Sequence, residues 1–163
     1  MAPQARRGGF VLACGMVLTV LLTAADFAMR AKAKPNSEAL LTLLVVPFTD
    51  AAAFAVLAGL AYALRKNAAA HKRLIIIATV GLTRAALVRW HVPILFQHQH
   101  AAYTATYVFL VLLATYDLWS KRKIHRATIW GSVFLILMGQ IGGFIGPTAP
   151  WHAFAHWVQS LGV

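Results

Sequence analysis

Seven histidines and four acids hold nearly all the side-chain chemistry in this 163-residue chain. Five of the histidines, His91, His98, His100, His152 and His156, fall in two stretches that bound long apolar runs. His152 and His156 are four residues apart, so on a helix both imidazoles face one way. That spacing suits a metal ion, or a haem ligand beside another donor. Imidazole serves zinc, copper, iron and nickel alike. The only thiol, Cys14, lies in the first apolar run, far from these histidines. A site here is therefore expected to be all-histidine: a b-type haem held from two helices, or a copper or zinc ion held by three side chains. The competing reading is solvated histidines at the level of the lipid headgroups.

Charged side chains inside the apolar runs form a second set. Asp50 and Arg84 each stand about eleven residues from one end of their runs, so at about 1.5 Å per residue they reach similar depth. Asp26 and Arg89 lie nearer that same end. Charges in hydrocarbon must be paired or hydrated. Two layered ion pairs are expected, Asp50 with Arg84 and Asp26 with Arg89. They would either fix helix register or line a cavity for an anion. The second option makes the protein a carrier of a small or lipid-like molecule.

His71 and His125 form a further pair, flanked by Lys72 and Arg73 and by Lys123 and Arg126, with Asp117 the only acid nearby. A pocket for a phosphate or quinone headgroup is one reading, and a basic anchor at the membrane surface is the other. No phosphate-binding loop, serine nucleophile with its base, or paired-carboxylate site can be read from the chain. Hydrolytic acid–base chemistry lacks its usual groups, and whether the protein is an enzyme stays open.

The elements that position these residues are apolar. The composition is 60% hydrophobic, more than one soluble domain of this length would carry. Five runs stand out, at about 9–29, 39–64, 74–96, 101–119 and 128–145. Each is long enough to cross about 30 Å of hydrocarbon as a helix, the one conformation that satisfies its own backbone there. After Pro150, a stretch at about 151–161 is too short to cross and is expected to lie on the outer interface. The fold expected is an all-α membrane protein: five transmembrane helices and a short outer interfacial helix, in a single domain over 1–163. Arg6-Arg7 and the run after them read as a signal anchor and first span.

Charge sets the orientation. The amino-terminal tail (Arg6, Arg7) and the second and fourth connectors together hold ten Lys and Arg, against three in the first and third connectors. The positive-inside rule then puts the amino terminus in the cytoplasm and the carboxyl terminus outside. The net charge of +11 sits in these short connectors, which points to anionic lipid headgroups as partners and not to nucleic acid. On the fifth run, Gly139 with Gly143 and Gly142 with Gly146 give two G-x-x-x-G spacings, which let helices approach closely within the bundle or in a homo-oligomer.

The strings VPFTDAAAFAVLAGLAYALRK, AAHKRLIIIATVGLTRAALVRW and YDLWSKRKIHRA resemble a group of small bacterial multi-pass membrane proteins. Those proteins share an H-K-R-L span start and a D-L…R-x-H connector. The resemblance covers roughly residues 47–127 and implies a bacterial inner-membrane location. It singles out His71, Arg73, Asp117 and His125 and carries no reaction with it. Three function classes follow: a histidine-ligated metal or haem protein with a redox role, a structural or accessory subunit of a larger membrane complex, and a carrier using the Asp50/Arg84 layer.

Overall fold

The computed structural model describes residues 41–42, 45–89 and 101–161. Among the described residues there are five helices and no strand: α1 Val45–Ala63, α2 Ala68–Arg89, α3 Ala101–Lys121, α4 Arg126–Ile145 and α5 Ala149–Leu161. The predicted runs 39–64, 101–119 and 128–145 correspond to α1, α3 and α4. The run at 9–29, with Cys14 and Asp26, lies outside the described residues, as does the end of the third run beyond Arg89.

Local chemistry sets the helix ends. Asn67 caps α2, its Oδ1 accepting from the Ala70 backbone N–H at 3.2 Å. His125 caps α4 in the same manner, Nδ1 accepting from the Ala127 N–H at 3.1 Å. Between them, α3 stops where Arg122 adopts φ 58°, the left-handed conformation that closes many helices and that usually falls to glycine. Pro147 follows α4, and Pro150 sits in the first turn of α5, where its missing N–H has no helical partner to lose.

Helices α1, α3 and α4, of 19, 21 and 20 residues, are long and apolar enough to cross a membrane. Their outward surface is apolar as well: Val108, Val111, Leu112, Trp119, Leu137 and Phe144 are all exposed. Such an exterior suits contact with lipid and would be a liability in water. The chain is a helical membrane protein with three candidate spans among the described residues. Helix α2 is as long as these, but it carries His71, Lys72 and Arg73 near its start and Arg84 and Arg89 further on.

The chain divides into two compact units. In the unit Ala53–Leu137, α2 packs on α3, and Leu57, Ile77, Ala78 and Leu110 are buried. Two glycines let α2 and α4 approach. A Cβ on Gly131 would stand 2.8 Å from Ile77 Cδ1, and one on Gly81 would stand 2.8 Å from Leu135 Cδ1.

The other unit joins the described parts of Met1–Ala52 and Met138–Val163. Leu41 and Ala155 form its buried centre, with Phe48, Trp151 and Val158 packed around them. Trp151 Nε1 donates to the Leu41 carbonyl at 2.8 Å and its ring meets Phe48 edge-on at 5.7 Å. Helix α5 is thus held by its Trp151–Ala155–Val158 stripe, while Trp157 stays 58% exposed.

Candidate functional site

In the unit Ala53–Leu137 the sequence supplies a single acid, Asp117, among many cations. Its carboxylate is fully buried. Oδ1 accepts from Arg73 Nη2 at 2.5 Å and from Arg73 Nε at 2.9 Å. Oδ2 accepts from the Thr128 hydroxyl at 2.5 Å, from Arg73 Nε at 3.1 Å and from the His125 backbone N–H at 3.2 Å. These are the donors an ionised carboxylate calls for, and a guanidinium fork on a carboxylate is the strong form of the interaction. The third guanidinium nitrogen of Arg73, Nη1, donates to the Ala69 carbonyl at 2.9 Å. One carboxylate therefore ties α2, α3, the connector at 122–125 and the first turn of α4 together.

Two histidines complete this end. His71 Nδ1 donates to the Ala61 carbonyl at 2.7 Å, binding α2 to the last turn of α1. Because His125 Nδ1 accepts from Ala127, a neutral His125 ring carries its proton on Nε2. All four residues singled out by the sequence resemblance, His71, Arg73, Asp117 and His125, stand at the same end of this unit.

Beside the junction lies an open-sided cleft of about 1090 Å³. One wall is apolar: Leu57 and Leu60 on α1 continue into Leu64 just past its end, and Trp130 and Phe134 share a stripe of α4. The polar end is formed by Lys121, Lys123, His125 and Arg126 beside Arg73. No acid is among the described residues that line it, and Asp117 beside it is already engaged by Arg73. Local charge at the polar end is therefore positive, and the apolar wall is wide open to its surroundings, with Leu60, Leu64 and Trp130 exposed.

The remaining sequence candidates are distributed as follows. Arg84 is buried and its guanidinium stacks over Tyr103, 4.7 Å from the ring centroid, a cation–π contact the spacing of the residues did not announce. Asp50 is buried on α1 and belongs to the other unit. Arg89 ends α2. Asp26, His91, His98 and His100 lie outside the described residues. His152 and His156 stand one turn apart on α5, and His152 Nε2 is 3.2 Å from the Thr42 hydroxyl. Among the described residues no three His, Cys, Asp or Glu side chains come together as a metal site.

Gly142 faces Thr49 and Val45, Gly146 faces the Thr42 backbone, and Gly143 faces open space. Gly139 is half-buried on α4. Sequence reasoning missed Thr128, read only as the start of a span, together with Gly81 and Gly131. The signal for Thr128 was a hydroxyl residue in the first turn of a span that follows a basic connector.

No known protein family, no curated protein and no solved structure matches this chain.

Proposed function

We propose that this protein is a membrane-embedded carrier or binding protein for an amphiphilic molecule, which it receives at the basic end of α1, α2 and α4. The observation that carries this reading is the cleft: an apolar wall from two helices meets a rim of cations, with no acid among the described lining residues. Ligand sites are mostly apolar concavities with a few convergent polar groups, and this cleft has that make-up. The Arg73–Asp117–Thr128 junction supports it by holding three helices and the 122–125 connector in fixed register around the opening. The count of basic residues supports putting this end at the cytoplasmic face of a bacterial inner membrane. Within that topology, five spans with α5 on the outer interface are the arrangement we favour.

Native mass spectrometry of protein extracted in mild detergent tests the proposal. A stoichiometric bound amphiphile is expected, reduced when Trp130→Ala opens the wall. Protein that carries no amphiphile and copurifies with a larger complex would favour the accessory-subunit reading instead.

A second reading keeps a b-type haem, or a copper or zinc ion, at the predicted outer side. It rests on His152 and His156 standing one turn apart on α5, with His91, His98 and His100 as the remaining donors. A Soret band, or stoichiometric metal by elemental analysis, would support it. A colourless, metal-free preparation would dismiss it.

A further inference from the structure

We infer that the molecule seated in the cleft is an acidic phospholipid of the surrounding bilayer, its phosphate held by Lys121, Lys123 and Arg126 and its chain laid along Leu60, Leu64 and Trp130. The inference rests on the amphiphile reading above and adds the headgroup's charge and the ligand's source.

The headgroup follows from charge complementarity. Lys121, Lys123 and Arg126 come from the end of α3, the connector and the start of α4, and all three line one opening. Among the described residues no carboxylate lines it with them, and the only acid of this unit is buried against Arg73 and Thr128. A cluster of cations without a counter-charge is stabilised by an anion, and one that can engage several donors at once is favoured. The opening also abuts the first turn of α4, through Arg126 and Ala127, where the helix dipole adds to the attraction for an anion. In neutral form His125 brings an Nε2 donor to the same rim. A neutral quinone ring would leave these cations unanswered.

The source follows from the wall. From Arg126 to Phe134 the lining descends α4 by about 12 Å at the helical rise. That is a strip for a hydrocarbon chain, far more than a free phosphate would use. Leu60, Leu64 and Trp130 are 48%, 44% and 72% exposed, so the wall runs into the apolar exterior of the bundle without a barrier. A chain can therefore enter sideways from the bilayer while its headgroup stays at the level of the basic connectors.

The experiment is a titration of the full-length, delipidated protein with phosphatidylglycerol, phosphatidylcholine or inorganic phosphate, read by native mass spectrometry. Two double variants accompany wild type. One removes rim cations, Lys123→Ala with Arg126→Ala. The other removes exposed cations of the α1–α2 connector and α2 that do not line the cleft, Lys66→Ala with Lys72→Ala. Phosphatidylglycerol is expected to bind wild type more tightly than phosphatidylcholine. The rim variant should lose about tenfold or more of that affinity, and the control pair less than about twofold. An equal loss in both variants would reduce the effect to general surface charge and overturn the site. Equal binding of the two lipids would overturn the anionic headgroup while leaving the amphiphile reading intact. Inorganic phosphate that displaces the lipid at similar concentration would make free phosphate the ligand and overturn the lipid source. Binding of neither lipid would remove the amphiphile reading itself.

Discussion

Arg73 and Asp117, 44 residues apart in the chain, meet as a guanidinium fork on a buried carboxylate, with Nη2 to Oδ1 at 2.5 Å and Nε to Oδ2 at 3.1 Å. Thr128 and the His125 backbone complete the carboxylate's shell from the far side of the connector. The junction fixes α2, α3 and α4 at the end where the cleft opens, so its integrity and ligand binding should be linked.

Asp117→Asn keeps the shape of the side chain and removes the charge that Arg73 answers. Breaking a buried pair from one side leaves the partner uncompensated, and a loss of about 3 kcal/mol is expected. Thr128→Val, near in shape but without a hydroxyl, should cost about 1.5–3 kcal/mol, the range for a hydrogen bond to a charged acceptor. Thermal unfolding in detergent measures both. Wild-type melting of Asp117→Asn would mean the junction contributes nothing to the bundle.

Gly143 near the end of α4 and Gly146 just past it separate by what they face. A Cβ on Gly146 would stand 2.8 Å from the Thr42 carbonyl oxygen, a backbone atom that cannot swing away. Gly146→Ala should destabilise by about 1–3 kcal/mol, as overpacking does. A Cβ on Gly143 meets nothing within 4 Å. Gly143→Ala should be neutral or gain up to about 1 kcal/mol from helix propensity. Loss of self-association in Gly143→Ala, read by analytical ultracentrifugation, would instead assign that open face to a homo-oligomer contact.

Arg122 holds φ 58° at the end of α3. For a residue with a Cβ this conformation costs about 1–2 kcal/mol. Arg122→Gly should therefore raise stability by about 1 kcal/mol, and Arg122→Pro, whose ring cannot adopt a positive φ, should lower it. A Gly variant that melts below wild type would show that the arginine side chain contributes more than its backbone costs.

Helix positions were legible because apolar runs of this length admit only one secondary structure in lipid. The predicted runs at 101–119 and 128–145 differ from α3 and α4 by only two residues at one end. The separate short helix after Pro150 was legible because proline suits the first turn of a helix and not its interior. The basic-end cluster was only half legible. His71, Arg73, Asp117 and His125 could be named, but nothing in their spacing says that Asp117 turns toward Arg73 and Thr128. The chain returns Thr128 to Asp117 only after the left-handed turn at Arg122, a conformation that arginine rarely signals. Gly81 and Gly131 escaped notice because each stands alone, outside any G-x-x-x-G spacing, and its partner lies on a different helix. The guanidinium of Arg84 over the face of Tyr103 was not legible either, since the two residues are 19 apart in the chain and share no motif.

The most direct test of the central claim is photo-crosslinking in native membranes from a photoreactive phenylalanine analogue placed at position 134, deep along the apolar wall. The account predicts an adduct whose mass is the protein plus one acidic phospholipid, diminished by Lys123→Ala with Arg126→Ala. Adducts to a neighbouring protein alone, with no lipid at any yield, would contradict it.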